Sequence, residues 1–211
     1  MPSRTRIKFC GITRLIDALC AVDLGVHALG FVFYKASPRY VAPRMAREII
    51  RALPPFVSTV GLFVNAPSAE LIEIVAVTGI DVVQFHGSET AAECAVSPRP
   101  YIKAVRMEPG LDLPALATTY RTARALLVDT YDPVLPGGTG RAFDWSRIPA
   151  TRDFPVILAG GLSAINVAEA LSIVRPYAVD VSGGIESSKG IKDPARMQAF
   201  ITEVKNFERD A

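Results

Sequence analysis

A cysteine and an aspartate, each at the end of an apolar run, are the residues of this chain best suited to move protons. Cys10 closes Ile7-Lys-Phe-Cys10 and is followed by Gly11, and Asp129 closes Ala125-Leu-Leu-Val-Asp129. A thiol abstracts a proton once it is a thiolate, and a neighbouring cation or helix N-terminus brings its pKa into range. A desolvated carboxyl keeps its proton to higher pH, which suits it to donate. Each has a plainer reading: Cys10 as a small buried hydrophobe, Asp129 as a cap on the following loop. Cys20 and Cys94 fall within helical patterns and take the plainer reading, and Asp132 beside Pro133 reads as a turn residue.

Other positions could hold a ligand. Val156-Ile-Leu-Ala-Gly160-Gly161-Leu-Ser163 and Ala178-Val-Asp180-Val-Ser182-Gly183-Gly184-Ile-Glu186 each run a β-type stretch into paired glycines, 23 residues apart from Gly160 to Gly183. Glycine pairs at the ends of buried strands let the backbone approach an anion closely and aim free N–H groups at it. A phosphate is the expected guest. In Ser37-Pro-Arg39-Tyr40 the arginine either grips a carboxylate or phosphate bidentately or is solvated in its loop. His86 in Val83-Gln-Phe-His86-Gly87 either meets substrate or satisfies a loop carbonyl. Gly137-Gly-Thr-Gly140 reads as a mobile active-site loop, a weak signal by itself.

The elements that would position these residues can be counted. Short β-rich runs begin near Ile7, Leu29, Val60, Val82, Ile102, Leu126, Val156 and Val179. Most are continuous apolar stretches such as Ala28-Leu-Gly-Phe-Val-Phe33, the pattern of parallel strands covered on both faces. Helical patterns alternate with them: Leu15 to Leu24 after a Thr13 cap, Pro43 to Ala52, Ser68 to Val77, Ala164 to Val174, and Asp193 to Phe207 with Pro194 at the first helical position. Eight such units without an early Gly-x-Gly-x-x-Gly favour a closed (β/α)8 TIM barrel over an open doubly wound sheet. Pro109, Gly110 and Pro114 predict a short or irregular fifth helix. The whole chain, 1–211, reads as one α/β barrel domain. Cys10, Arg39, His86 and Asp129 then sit where a strand ends and a loop begins, the face on which such barrels build their active sites, Asp180 lies inside strand 8, and the two glycine pairs follow strands 7 and 8, where a recurrent phosphate site lies. His27 precedes strand 2, on the opposite face.

Composition narrows the partners. A net charge of +2 over 211 residues, with no basic cluster, does not point to nucleic acid. Three cysteines without ligand spacing argue against a disulfide framework or a zinc site and suggest a reducing cytoplasm. The N-terminus lacks the apolar core of a signal peptide. Val156 to Val174 carries only Glu169, but Gly160, Gly161, Ser163 and Asn166 interrupt it, so it reads as a strand followed by a helix and not as a membrane span.

Taken in order, Lys8-Phe-Cys-Gly-Ile-Thr13, Gly30-Phe-Val-Phe33, Ser37-Pro-Arg-Tyr40, Val83-Gln-Phe-His-Gly87, Leu127-Val-Asp-Thr130, Gly137-Gly-Thr-Gly140, Phe143-Asp-Trp145 and Asp180-Val-Ser-Gly-Gly-Ile-Glu186 resemble the phosphoribosylanthranilate isomerases of tryptophan biosynthesis. The resemblance runs from about residue 6 to residue 207. It implies a cofactor-free barrel that carries out an Amadori rearrangement, with Cys10 as general base and Asp129 as general acid. It also implies that Arg39 contacts the anthranilate end and that Gly160, Gly161, Gly183, Gly184 and Ser182 hold the phosphate. Asp180 binds substrate or orients the site. The family usually shows Asp-Val-Ser-Ser-Gly after strand 8, so Gly183 stands where a second serine is usual, keeping a backbone N–H and losing a hydroxyl. Members are monomers or homodimers.

Three rivals remain at this level. A histidine-pathway isomerase acting on a bis-phosphate would need a second phosphate site, and no second pair of strand-end glycines is present. A metal-dependent epimerase would need His and Asp ligands at several strand ends. A barrel that binds a sugar phosphate without turnover would not need both Cys10 and Asp129.

Overall fold

A computed structural model of the chain describes residues 4–130 and 144–210. Eight parallel strands close into a barrel in sequence order: β1 (Arg6–Cys10), β2 (Ala28–Val32), β3 (Ser58–Phe63), β4 (Val82–Phe85), β5 (Tyr101–Arg106), β6 (Ala125–Asp129), β7 (Val156–Leu158) and β8 (Ala178–Val181). Each starts within two residues of the position read from the apolar runs. Closure is made by β8 against β1, with Lys8 in register with Asp180.

Because side chains alternate across a strand, each strand feeds two apolar layers. Outward residues such as Phe9, Phe31, Phe63, Val105 and Leu158 pack under the helices, whereas Ile102, Ala104, Leu127, Ile157 and Ala178 fill the barrel interior. Burial on both faces is why the strands read as continuous runs. Above that interior layer the inward positions turn polar: Cys10, Gln84, His86, Arg106, Asp129 and Asp180. The polar layer sits at the C-terminal ends of the strands.

The helices are α1 (Leu15–Asp23), α2 (Pro43–Arg51), α3 (Ser68–Thr78), α4 (Ala91–Ala95), α5 (Leu113–Thr119), α6 (Val167–Val174) and α7 (Pro194–Asp210). As expected, α5 is short; Asp112 caps it and Pro114 sits in its first turn. Two expectations need correction. Thr13 does not cap α1: its hydroxyl donates to Gly190 O at 2.5 Å, and Arg14 stands at the cap position with no side-chain capping bond. The sixth helix starts at Val167 and not Ala164, because Asn166 bonds backward to Ser163 N and Gly161 O and holds that stretch as a turn. Among the described residues no helix is long and apolar enough to cross a membrane.

One element had no counterpart in the sequence reading. Between β8 and α7 lie a 3-10 turn (Gly183–Ile185) and a small hairpin of β9 (Glu186–Ser188) and β10 (Ile191–Lys192). The hairpin brings Lys192 to the end of β1, where its Nζ donates to Cys10 O.

Candidate active site

The polar strand ends line a cleft of about 700 Å³. Cys10 enters it from β1, Arg39 from the loop after β2, His86 from just past β4, Asp129 from β6 and Asp180 from β8, so every expected site side chain faces one cavity. The glycine loops after β7 and β8 form one side. Among the described residues no three His, Cys, Asp or Glu side chains converge as metal ligands. The Gly137–Gly140 loop, Asp132 and Phe143 lie outside the described residues.

Cys10 is buried, and burial pushes its thiol up; Lys8 opposes that shift, Asp180 adds to it and Lys192 opposes it. Lys8 Nζ donates to Asp180 Oδ1 at 2.9 Å. Asp180 is therefore ion-paired to a buried lysine, the partner that its place inside an apolar strand requires. Burial works against the charge on Lys8, but Asp180 and Cys10 outweigh it and its pKa is raised.

Asp129 accepts from the Thr130 backbone N–H at Oδ1 (2.8 Å), and His86 Nε2 lies 3.3 Å from its Oδ2. Gln84 Nε2 stands 2.9 Å from His86 Nδ1. With that amide donating, Nδ1 is the acceptor and the imidazole proton faces Asp129. Histidine and aspartate act as a pair on one wall.

Arg39 is held by its neighbour: Nε and Nη2 donate to Glu186 Oε1 and Oε2 at 2.8 and 2.7 Å, in a bidentate fork. Nη1 has no partner among the described residues. Glu186 also accepts from Lys192 Nζ at 2.8 Å, and the same ammonium donates to Cys10 O at 2.6 Å and Ser182 O at 3.3 Å. Burial favours the protonated form of Glu186, yet Arg39 and Lys192 hold its pKa below the usual carboxylate value. Burial lowers the pKa of Lys192, with Glu186 opposing.

The glycines after β7 and β8 line the same cleft and pack closely. Gly160 and Gly161 adopt left-handed φ of 82° and 65°. A Cβ on Gly160 would sit 2.3 Å from Thr130 Oγ1 and 2.8 Å from Asp129 Oδ1, and one on Gly184 would sit 2.0 Å from Leu162 O. At Gly183 the nearest atom to an added Cβ would be Arg39 Nη2 at 3.4 Å, an ordinary contact. That space is large enough for the serine usual in similar sequences. The N–H groups of Gly183 and Gly184 open the 3-10 turn without a backbone acceptor among the described residues.

Sequence reasoning had not singled out Lys8, Gln84, Arg106, Glu186 or Lys192. Lys8 carried a readable signal, since a lysine two residues before Cys10 on a strand shares its face. Lys192 carried none, because its place depends on the β9–β10 hairpin.

Comparison with known proteins bears on the whole assembly. Residues 7–203 match the family model described as N-(5'-phosphoribosyl)anthranilate (PRA) isomerase. An N-(5'-phosphoribosyl)anthranilate isomerase of Pseudomonas putida is 58% identical over 203 residues, 96% of this chain and 98% of that one. The crystal structure of phosphoribosyl anthranilate isomerase from Thermotoga maritima superposes with a TM-score of 0.88 at 41% identity, covering 96% of this chain and 99% of that one. A structure of such an isomerase in complex with reduced 1-(o-carboxyphenylamino)-1-deoxyribulose 5-phosphate superposes with a TM-score of 0.85 at 40% identity, covering the same shares.

Proposed function

The chain belongs to the N-(5'-phosphoribosyl)anthranilate isomerase family and catalyses the tryptophan-pathway conversion of N-(5'-phosphoribosyl)anthranilate to 1-(2-carboxyphenylamino)-1-deoxyribulose 5-phosphate, and from that premise we propose that Cys10 is its general base and Asp129 its general acid. The observation that carries the assignment is that β1 and β6 deliver these two side chains into one cleft, next to the glycine loops. Asp129 protonates the ribose ring oxygen, and the sugar opens to an iminium. Cys10 thiolate then takes the C2' proton, and the electron pair left behind moves through C1' onto the iminium nitrogen. The resulting enolamine tautomerises to the ketone. No group beyond the substrate's own nitrogen is needed as electron sink.

Arg39 Nη1, which has no partner among the described residues while Glu186 clamps the rest of the guanidinium, meets the anthranilate carboxylate. Backbone at Gly160, Gly161, Gly183 and Gly184, with Ser182, holds the phosphate; His86 and Asp180 complete the contact set. A substrate fixed at both ends presents its reacting atoms to Cys10 and Asp129, so binding becomes orientation. The test is loss of substrate fluorescence with wild type, Cys10→Ala and Asp129→Asn. Each variant is expected to lose about 10²- to 10⁴-fold in kcat, the usual contribution of a positioned acid or base. A variant within threefold of wild type would remove that residue from its role.

The proposed compartment is the cytoplasm, where a reducing environment keeps Cys10, Cys20 and Cys94 as thiols. The proposed assembly is a homodimer. The isomerase of Thermotoga maritima is described as dimeric, and Phe56 of this chain is fully exposed on the face away from the cleft. Light scattering of wild type and Phe56→Glu tests this: two chains for the first and one for the second are expected.

A further inference from the structure

We propose that Lys8 is the positioning residue that makes Cys10 a base, serving as the fixed cation beside the thiolate while Asp180 fixes Lys8. The inference rests on the assignment of Cys10 as base. Lys8 and Cys10 are two residues apart on β1, so both point into the barrel. The β1–β8 register sets Asp180 opposite Lys8, the ammonium donates to Asp180 Oδ1 at 2.9 Å, and its charge acts on the Cys10 thiol from the same face of β1.

Gly30 makes the arrangement possible. It stands opposite Cys10 on β2, and a Cβ there would lie 2.8 Å from Cys10 Sγ and 3.1 Å from Lys8 Cε. Any side chain at this position would crowd both groups. The lysine is 4% exposed, so its charge is sustained by these partners and not by water. Burial holds the thiol's pKa up even with Lys8 beside it, and without that cation the thiolate would be scarcer still, since desolvation disfavours the charged form. Asp180 works against the thiolate and for the ammonium, so the pair sets a balance and does not simply maximise acidity. Two more cations face Cys10: Lys192, which also favours the thiolate and is bonded to Glu186, Cys10 O and Ser182 O, and Arg39, which is forked to Glu186.

Lys8 keeps its three protons throughout. The C2'–H bond breaks, the proton goes to Cys10 Sγ, and the C–H electron pair becomes the C1'–C2' π bond as the iminium pair moves to nitrogen. The ammonium compensates the sulfur charge before the transfer and is released from that role after it.

Alkylation of Cys10 by iodoacetamide, mapped by mass spectrometry across pH without substrate, reads the thiolate directly and does not depend on turnover. Lys8→Met is expected to raise the midpoint for Cys10 by at least about one pH unit, near tenfold slower alkylation at pH 7.5, with Lys8→Arg restoring much of it. Asp180→Asn is expected to move the midpoint the other way, a sign that loss of packing would not give. Cys20 and Cys94 serve as internal references. An unchanged Cys10 profile in folded Lys8→Met, or upward shifts in both variants, would overturn the proposal. Where Lys8→Met does not fold, the direction of the Asp180→Asn shift decides alone. Failure of the catalytic assignment shows separately, as full turnover by Cys10→Ala.

Discussion

His86 Nε2 lies 3.3 Å from Asp129 Oδ2, with Gln84 on the far side of the ring. The histidine therefore orients the acid and does not replace it. Loss of one hydrogen bond costs about 0.5–1.5 kcal/mol, so His86→Gln should lower kcat/KM by roughly tenfold at most. Asp129→Asn removes the proton donor itself and should cost far more. Steady-state kinetics of both variants check the order, and equal losses would make His86 a proton donor in its own right.

Adjacent glycines after β8 should respond in opposite ways. A methyl on Gly184 would lie 2.0 Å from Leu162 O, forcing apart the two loops that frame the proposed phosphate site. Overpacking of this kind costs about 1–3 kcal/mol, and Gly184→Ala should also raise KM by an order of magnitude. The Cβ of Gly183→Ser meets, among the described residues, only Arg39 Nη2 at 3.4 Å, and the variant should leave KM within about twofold, since the backbone N–H stays in place. Thermal melts and KM for the two variants make the comparison; similar behaviour of both would remove the steric argument.

Glu186 joins Arg39 to Lys192, and its side chain is almost wholly buried. Removing its charge leaves the Lys192 ammonium, among the described residues, with carbonyl and hydroxyl oxygens only, and breaking a buried pair in this way costs about 3–5 kcal/mol. Glu186→Gln should therefore lower the urea midpoint strongly. It should also raise KM, as Arg39 loses the fork that aims it. An unchanged midpoint would mean that the buried pair adds no stability.

The barrel was legible because its eight strands are apolar on both faces, a pattern that Ala28 to Phe33 shows without help from any neighbour. Cys10, Asp129 and the glycine pairs were legible because strand ends are where chemistry and close approach both need unusual residues. What escaped was long-range. Glu186 stood inside a recognised motif, yet its bond to Arg39 spans 147 positions and its bond to Lys192 depends on a hairpin of five strand residues in all. Thr13 has the residue type of a helix cap, but tertiary contact with Gly190 took its hydroxyl. Local propensity sets the elements; the partners of polar side chains are set by closure of the barrel.

On the face opposite the cleft, His27 gives the fold a dependence on pH. Its Nδ1 accepts the Ile7 backbone N–H at 3.1 Å, an arrangement that only the unprotonated nitrogen can make. Burial, then the charge of Arg6, lower its pKa from 6.5, with Lys205 acting in the same direction and Glu208 against them. The sign follows from linkage: the unfolded chain binds this proton more readily, so the stabilisation is present above pH 6.5 and is lost as pH falls through the lower folded value. Urea midpoints of the wild type should therefore drop between pH 7 and pH 5 more steeply than those of His27→Gln, which has no proton to bind. NMR supplies the direct reading, because the chain has two histidines and His86→Gln assigns the other. A His27 ring that titrates at or above 6.5 would contradict the hydrogen bond from Ile7 as the feature that keeps it neutral.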